Sequence, residues 1–354
     1  MPPSIPLSLL GLTTLLHSPR DVKLLILARF TRHLAYGLST LILALYLSAL
    51  GIPDARIGLF MTLTLAGDVL ISLVLTLVAD KLGRRRVLVL GAVMMIGSGV
   101  VFANGGGFGW LLLAAVVGVI SPSGNEIGPF KAVEESTLAH LTPSADRSDV
   151  YTWYALLGST GTACGMMTCG RVVQHLQDVR GWDEVRSYRV IFVGYAALGF
   201  VKLCLACALS DKIEVKREGR RGPRGEDEED QERAMLLPDD ETDDAESEAK
   251  PKGKWTFFSS LLPDISPESR AIVVNLCVLI GLDAFASGLV AVTWVTYYFK
   301  KKFALSDSTL GSIFFVTRIA SAISMLIASA IAKRLGNIKA SPPSSPSSLP
   351  EPCT

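Results

Sequence analysis

The sequence predicts an all-helical integral membrane protein. Three observations point there: 49% of the 354 residues are hydrophobic and only 19% are charged, long apolar runs recur along the chain, and most runs are joined by short polar turns. A helix needs about 20 mostly apolar residues to cross the hydrocarbon core, because each backbone N–H and C=O must find its partner within the segment. Such stretches fall at about 24–48, 57–79, 87–104, 108–130, 150–170, 189–210, 271–298 and 308–332. Short links, such as Gly51 to Arg56, Lys81 to Arg86 and Asn104 to Gly107, make successive helices antiparallel neighbours in a compact bundle.

Residues 1–23 form an N-terminal tail whose apolar patch, Ile5 to Leu16, lacks the basic flank and cleavage site of a signal peptide. Lys and Arg collect on cytoplasmic ends. Arg20, Lys23, Lys81, Arg84, Arg85, Arg86, Lys131, Arg147, Lys333 and Arg334 fall on one side if the N-terminus is cytoplasmic. The loop arginines Arg171, Arg180, Arg186 and Arg189 and the run Lys300 to Lys302 oppose that orientation. Residues 211–256 open with Lys and Arg, continue through an acidic tract from Glu226 to Asp244, and have too few apolar groups to repay ordering. They separate six spans (24–210) from a two-span remainder (257–340), which is followed by a Pro/Ser-rich tail at 341–354. With a formal net charge of +1 and acidic residues crowded into the segment around 226–248, nothing in the charge pattern favours a nucleic-acid partner.

The turn between the second and third spans reads Thr76-Leu-Val-Ala-Asp80-Lys81-Leu-Gly83-Arg84-Arg85-Arg86. Gly83 permits a sharp reversal, while Asp80, at a helix C-terminus where the dipole disfavours a carboxylate, calls for a basic partner. The segment resembles the signature loop Gly-x-x-x-Asp-Arg/Lys-x-Gly-Arg-Arg/Lys of the major facilitator superfamily of secondary transporters. Asp80, Lys81, Gly83, Arg84 and Arg85 match, and Thr76 replaces the first glycine. Ala332-Lys333-Arg334-Leu335-Gly336 repeats the pattern after the eighth span, six spans on, and the 211–256 segment sits where that family places its central cytoplasmic loop. Gly118 to Phe130 looks similar to microbial and fungal facilitator-like proteins of undefined substrate.

The resemblance implies a helix bundle of two six-span halves. The first half is present and the second is represented by two spans, so the last four helices of a family member are expected to be missing. It also implies alternating access: a small organic solute crosses with or without a coupled proton, and Asp80, Lys81, Gly83, Arg84 and Arg85 latch one state. The expected partners are the lipid bilayer and that solute, for a monomer in a plasma or vacuolar membrane. The competing expectation is a truncated, non-transporting membrane protein, either a sensor or interaction protein or a degenerate gene product.

Charges within a bilayer are costly and mark functional candidates. Asp68, Asp283 and Arg318 lie near the middles of spans two, seven and eight. A carboxylate in a low-dielectric site can take up and release a proton as water access changes; a fixed Asp–Arg pair that welds helices is an equal alternative. Glu126 lies in a stretch broken by Pro122, Gly124, Gly128 and Pro129, which either lines a path or ends the helix among surface pairs of Glu126, Lys131, Glu134, Glu135 and Arg147. Arg29 and Arg32 sit near an interface and can snorkel, with Arg32 kept as a pathway candidate.

Gly158, Gly161, Gly165 and Gly170 allow close helix approach. Trp153, Tyr154, Trp294, Tyr297 and Tyr298 fit an aromatic belt. The cysteines are read as reduced packing residues, and the CxxC spacing of Cys204 and Cys207 lies in an apolar run where neither metal nor redox chemistry is expected. No catalytic constellation, phosphate-binding loop, metal-ligand spacing or cofactor motif stands out.

Overall fold

A computed structural model describes residues 12–118, 120, 122, 129–144, 146–210, 213–214, 275, 278–279, 281–282, 286 and 291–335, the side chains of 72–81 and 328–335 excepted. Ten helices are named among them: α1 Leu12–His17, α2 Arg20–Ala49, α3 Asp54–Leu82, α4 Arg84–Asn104, α5 Phe108–Val117, α6 Pro129–Leu141, α7 Arg147–Asp178, α8 Glu184–Cys207, α9 Val292–Phe303 and α10 Asp307–Leu335. No strand occurs among the described residues. Three of these helices are long and apolar enough to cross a membrane by length and composition: Arg84–Asn104, Glu184–Cys207 and Asp307–Ile327.

The elements follow the hydropathy pattern, with several shifts in extent. The first predicted span begins earlier, at Arg20, because Asp21 near the start of α2 accepts the backbone N–H of Ser210 at 3.1 Å and its hydroxyl, fixing that end against the end of α8. α7 outruns its predicted span at both ends. The fourth span is not one helix over 108–130: α5 stops at Val117, and a separate α6 begins at Pro129. A proline at a first helical position fits there because its missing N–H would be unpaired in any case. Glu126 lies outside the described residues, as does Asp283.

Helices 1–8 and helices 9 and 10 belong to one compact unit. α2 is central, packed on α7 and α8, with α9 across it; α4 packs on α8, α3 on α5, and α7 on α10. Alternation of direction puts the turns at 50–53, 105–107, 179–183 and 304–306 at one end of the bundle. The Gly83 turn and the segments 142–146 and 208–214 lie at the other. Gly83 has φ +88°, a left-handed backbone that a side chain would strain, so the expected reversal is realised by the residue predicted to make it.

Two apolar cores form. Near the first end, Tyr46, Phe60, Phe102 and Phe192 interlock, with Phe102 and Phe192 ring centres 4.7 Å apart and the Tyr46 hydroxyl donating to the Phe102 carbonyl at 2.8 Å. Near the Gly83 end, Val22, Leu25, Val87, Phe130, Tyr154 and Ile213 form the second.

α2 and α7 approach each other closely. A Cβ on Gly37 would lie 2.9 Å from both Gly165 Cα and Met166 N, and one on Gly165 would lie 2.9 Å from Gly37 Cα. The small residues of span five therefore pack backbone to backbone, as expected of such spacing.

Candidate functional site

Polar groups collect at three levels of the bundle. The deepest is a buried ion pair. Arg32 on α2 is 1% exposed, and its two terminal nitrogens donate to both oxygens of Glu134 on α6 at 2.6 Å each; Glu134 is 0% exposed. The Tyr154 hydroxyl on α7 donates to Glu134 Oε2 at 2.8 Å, and the Arg29 guanidinium lies 3.8 Å over the Tyr154 ring. A two-point Arg–carboxylate contact fixes both planes, so three helices are oriented by one group of side chains. Next to Arg32 in the chain, the His33 ring lies 3.1 Å from the Thr162 hydroxyl on α7, and Lys202 of α8 is buried with its ammonium 5.4 Å from the Phe130 ring centre.

This corrects three sequence readings. Arg29 and Arg32 do not snorkel to an interface; both are buried. Glu134 is not a surface partner, although Lys131 and Glu135 do form an exposed pair at 3.8 Å. Tyr154 is 1% exposed and serves the ion pair instead of an aromatic belt. Of the other candidates, Asp68 is buried in α3 and Arg318 is half-buried in α10. Asp80 and Lys81 end α3, but their side chains lie outside the described ones.

The second level is the Gly83 turn. Here the structure supplies a partner that sequence reasoning missed: Glu214, seven positions after the end of α8. Its carboxylate accepts the backbone N–H of Arg84 at 3.0 Å and of Arg85 at 3.1 Å, closing the N-terminus of α4, where unpaired N–H groups and the helix dipole favour an anion. The Arg85 side chain donates to the Cys207 carbonyl at 2.6 Å. The segment after α8 is thus bound to the turn through Glu214 and the buried Ile213, the two residues of 211–256 that the structure describes. Glu214 was hidden in a charged stretch, and only its carboxylate type near a basic turn could have marked it.

The third level joins the helices on either side of the tether. At the end opposite Gly83, Lys301 of α9 contacts Asp54 of α3 at 2.6 Å, and the Tyr297 hydroxyl donates to the same carboxylate at 2.6 Å. Beside it, the Lys300 ammonium donates to both Asp307 oxygens at 2.8 Å and to the Tyr188 hydroxyl of α8 at 2.9 Å, with Glu184 at 4.0 Å. A cavity of about 300 Å³ lies among Ser48, Asp54, Glu184, Tyr188, Tyr297 and Lys300. Hydrogen bonds from Lys301 and Tyr297 hold the Asp54 carboxyl below its ordinary 3.8, and the same contacts raise the Lys301 ammonium above 10.5. The contact is therefore complete above the ordinary carboxylate value and lost only as pH falls through the lowered one. At the alkaline limit it is lost only as pH rises through the raised lysine value. Both partners are well exposed, so salt, not a proton at ordinary pH, is what weakens it.

The sequence profile of the Major Facilitator Superfamily matches residues 25–346. An uncharacterized membrane protein of Saccharomyces cerevisiae is 38% identical over 322 residues, covering 91% of this chain and 70% of the yeast protein. With a signature turn built on Gly83, apolar spanning helices and a profile match over nearly the whole chain, the protein belongs to the Major Facilitator Superfamily of membrane transporters.

Proposed function

We propose that the protein is a secondary active transporter that moves a small organic solute by alternating access, its two halves rocking about a path between them. The single observation that carries this reading is the third-level contact: charged and tyrosine groups join α3 and α8 to α9 at one end of the bundle, whereas Glu214 ties the Gly83 turn to the same half at the other. Ion pairs at an accessible surface are individually weak, which suits a contact that must be broken in each cycle. In this reading the Gly83 end faces the cytoplasm with the N-terminus, in a plasma or vacuolar membrane, and the chain acts as a monomer. The tether at 211–256 links the bundle of 24–210 to the second half from 257.

Asp68, Asp283 and Arg318, with Glu126, are the groups assigned to solute or a coupled proton. Arg32 is assigned with Glu134 to orienting α2, α6 and α7 around that path, and Asp80 with Lys81, Arg84 and Arg85 to a latch at the cytoplasmic end.

The test is solute uptake and counterflow in vesicles holding the purified full chain, run over a panel of labelled organic anions, cations and neutral solutes with an internal pH dye. Saturable counterflow is expected, and Asp68→Asn, Asp283→Asn and Arg318→Gln should reduce it by at least about tenfold, the scale of one lost charged contact. Unchanged transport in all three variants would sink the site assignment. Solute binding without counterflow would replace the transporter with a membrane sensor.

A further inference from the structure

The outer surface of α8 carries one uninterrupted exposed stripe: Val193, Ala197, Phe200, Val201, Cys204 and Cys207. Spacings of three and four place these residues along one helix face, and all but the last two are hydrocarbon. Phe200 is 60% exposed and Val193 57%. In a helix apolar enough to cross a membrane, such a face is covered by lipid chains. The opposite face is buried, with Tyr195, Gly199, Lys202 and Ala206 turned into the bundle.

The stripe ends in two thiols, both exposed. This departs from the expectation that every cysteine serves packing; Cys169, buried on α7, fits that expectation and these two do not. The 24 residues of α8 span about 36 Å at 1.5 Å per residue, somewhat more than the hydrocarbon core, which brings the last turn to headgroup depth. Arginine marks that depth too: Arg85 donates to the Cys207 carbonyl, and Arg84 and Arg86 adjoin it in sequence. The pair is therefore juxtamembrane, lipid-facing and beside a basic cluster, the setting in which cysteines carry fatty acyl groups. A metal role fits poorly, since no group of three or more His, Cys, Asp or Glu side chains that could hold a metal ion occurs among the described residues.

We propose that Cys204 and Cys207 are S-acylated with long-chain fatty acid at the cytoplasmic boundary of the membrane. The donor class is a fatty acyl-coenzyme A. The cysteine thiolate attacks the donor's thioester carbonyl, the new Cys S–C(=O) bond forms as the old S–C bond breaks, and coenzyme A leaves as a thiolate that takes the proton. One thioester replaces another and no oxidant is needed. The attached chain extends along the Phe200 and Val193 stripe and fixes this end of α8, and with it the segment leading to Glu214, at the membrane surface. The proposal rests on the orientation given above, with the Gly83 end cytoplasmic.

The full chain, expressed in cells fed an alkynyl palmitate analogue, should take up label that hydroxylamine removes. Cys204→Ser/Cys207→Ser should lose it, and Cys277→Ser/Cys353→Ser should keep it. Absence of hydroxylamine-sensitive label from the wild-type chain, or label unchanged in Cys204→Ser/Cys207→Ser, overturns the proposal. Arg86→Cys on intact cells separates the two ideas: reaction with an impermeant maleimide from outside overturns the orientation and the acylation together. Protection from outside with no acyl label overturns the acylation alone.

Discussion

Arg32→Met is expected to destabilise the protein by about 3–5 kcal/mol, because it leaves the Glu134 carboxylate charged and buried with its two-point partner gone. Tyr154→Phe should cost less, about 1.5–3 kcal/mol, the scale of one hydrogen bond to a charged group. Replacing both ends, Arg32→Met/Glu134→Leu, removes the uncompensated charge and should recover much of the loss, since a buried pair exchanged for apolar groups is often close to neutral. Thermal unfolding of the detergent-solubilised full chain checks the order: Arg32→Met lowest, the double variant well above it. A double variant no better than the single one would mean that the pair does not act as a unit.

The second large effect is steric. Gly37→Val and Gly165→Val should each abolish stable folding or drive α2 and α7 apart, at a cost above the ~1–3 kcal/mol of ordinary overpacking. The reason is that the atoms met are backbone on both sides, which no rotamer change can move: Gly165 Cα and Met166 N face one added Cβ, and Gly37 Cα faces the other. Gly97→Ala is the matched control. Its added Cβ meets nothing within 4 Å, and an alanine in that position of α4 should stabilise by up to about 1 kcal/mol through helix propensity. Yield of monodisperse protein and melting temperature measure both arms.

Much of the helix layout was legible because lipid solvation forces long apolar segments, and Gly83 because a reversal between two helices demands a residue that tolerates positive φ. Asp68 and Arg32 could be singled out as charges in apolar runs. Their surroundings could not. Glu134 lies 102 positions from Arg32, in a segment whose alternating charges resemble a solvated helix, and only the fold brings α6 beneath α2. The fourth span misled because Gly118 to Phe130 is apolar enough to count as membrane sequence, whereas α5 ends at Val117 and Gly118, Ile120 and Pro122 are not helical.

The contact of Asp54 with Tyr297 and Lys301 spans 243 and 247 positions, beyond any local pattern. Lys300 and Lys301, read in the sequence only as loop charges, are paired with Asp307 and Asp54, so these lysines serve contacts within the bundle.

Alternating access is tested most directly by measuring both ends of the bundle at once, without needing to know the solute. Spin labels at Arg56 and Lys302 report the end closed by Asp54 and Lys301, and labels at Arg86 and Ile327 report the Gly83 end. In lipid nanodiscs the first pair should show a dominant short distance that Asp54→Asn or high salt lengthens, while the second pair shortens in the same samples, and pH between about 5 and 9 should leave both unchanged. Distances at both ends that stay fixed under Asp54→Asn and high salt would contradict a rocking transporter.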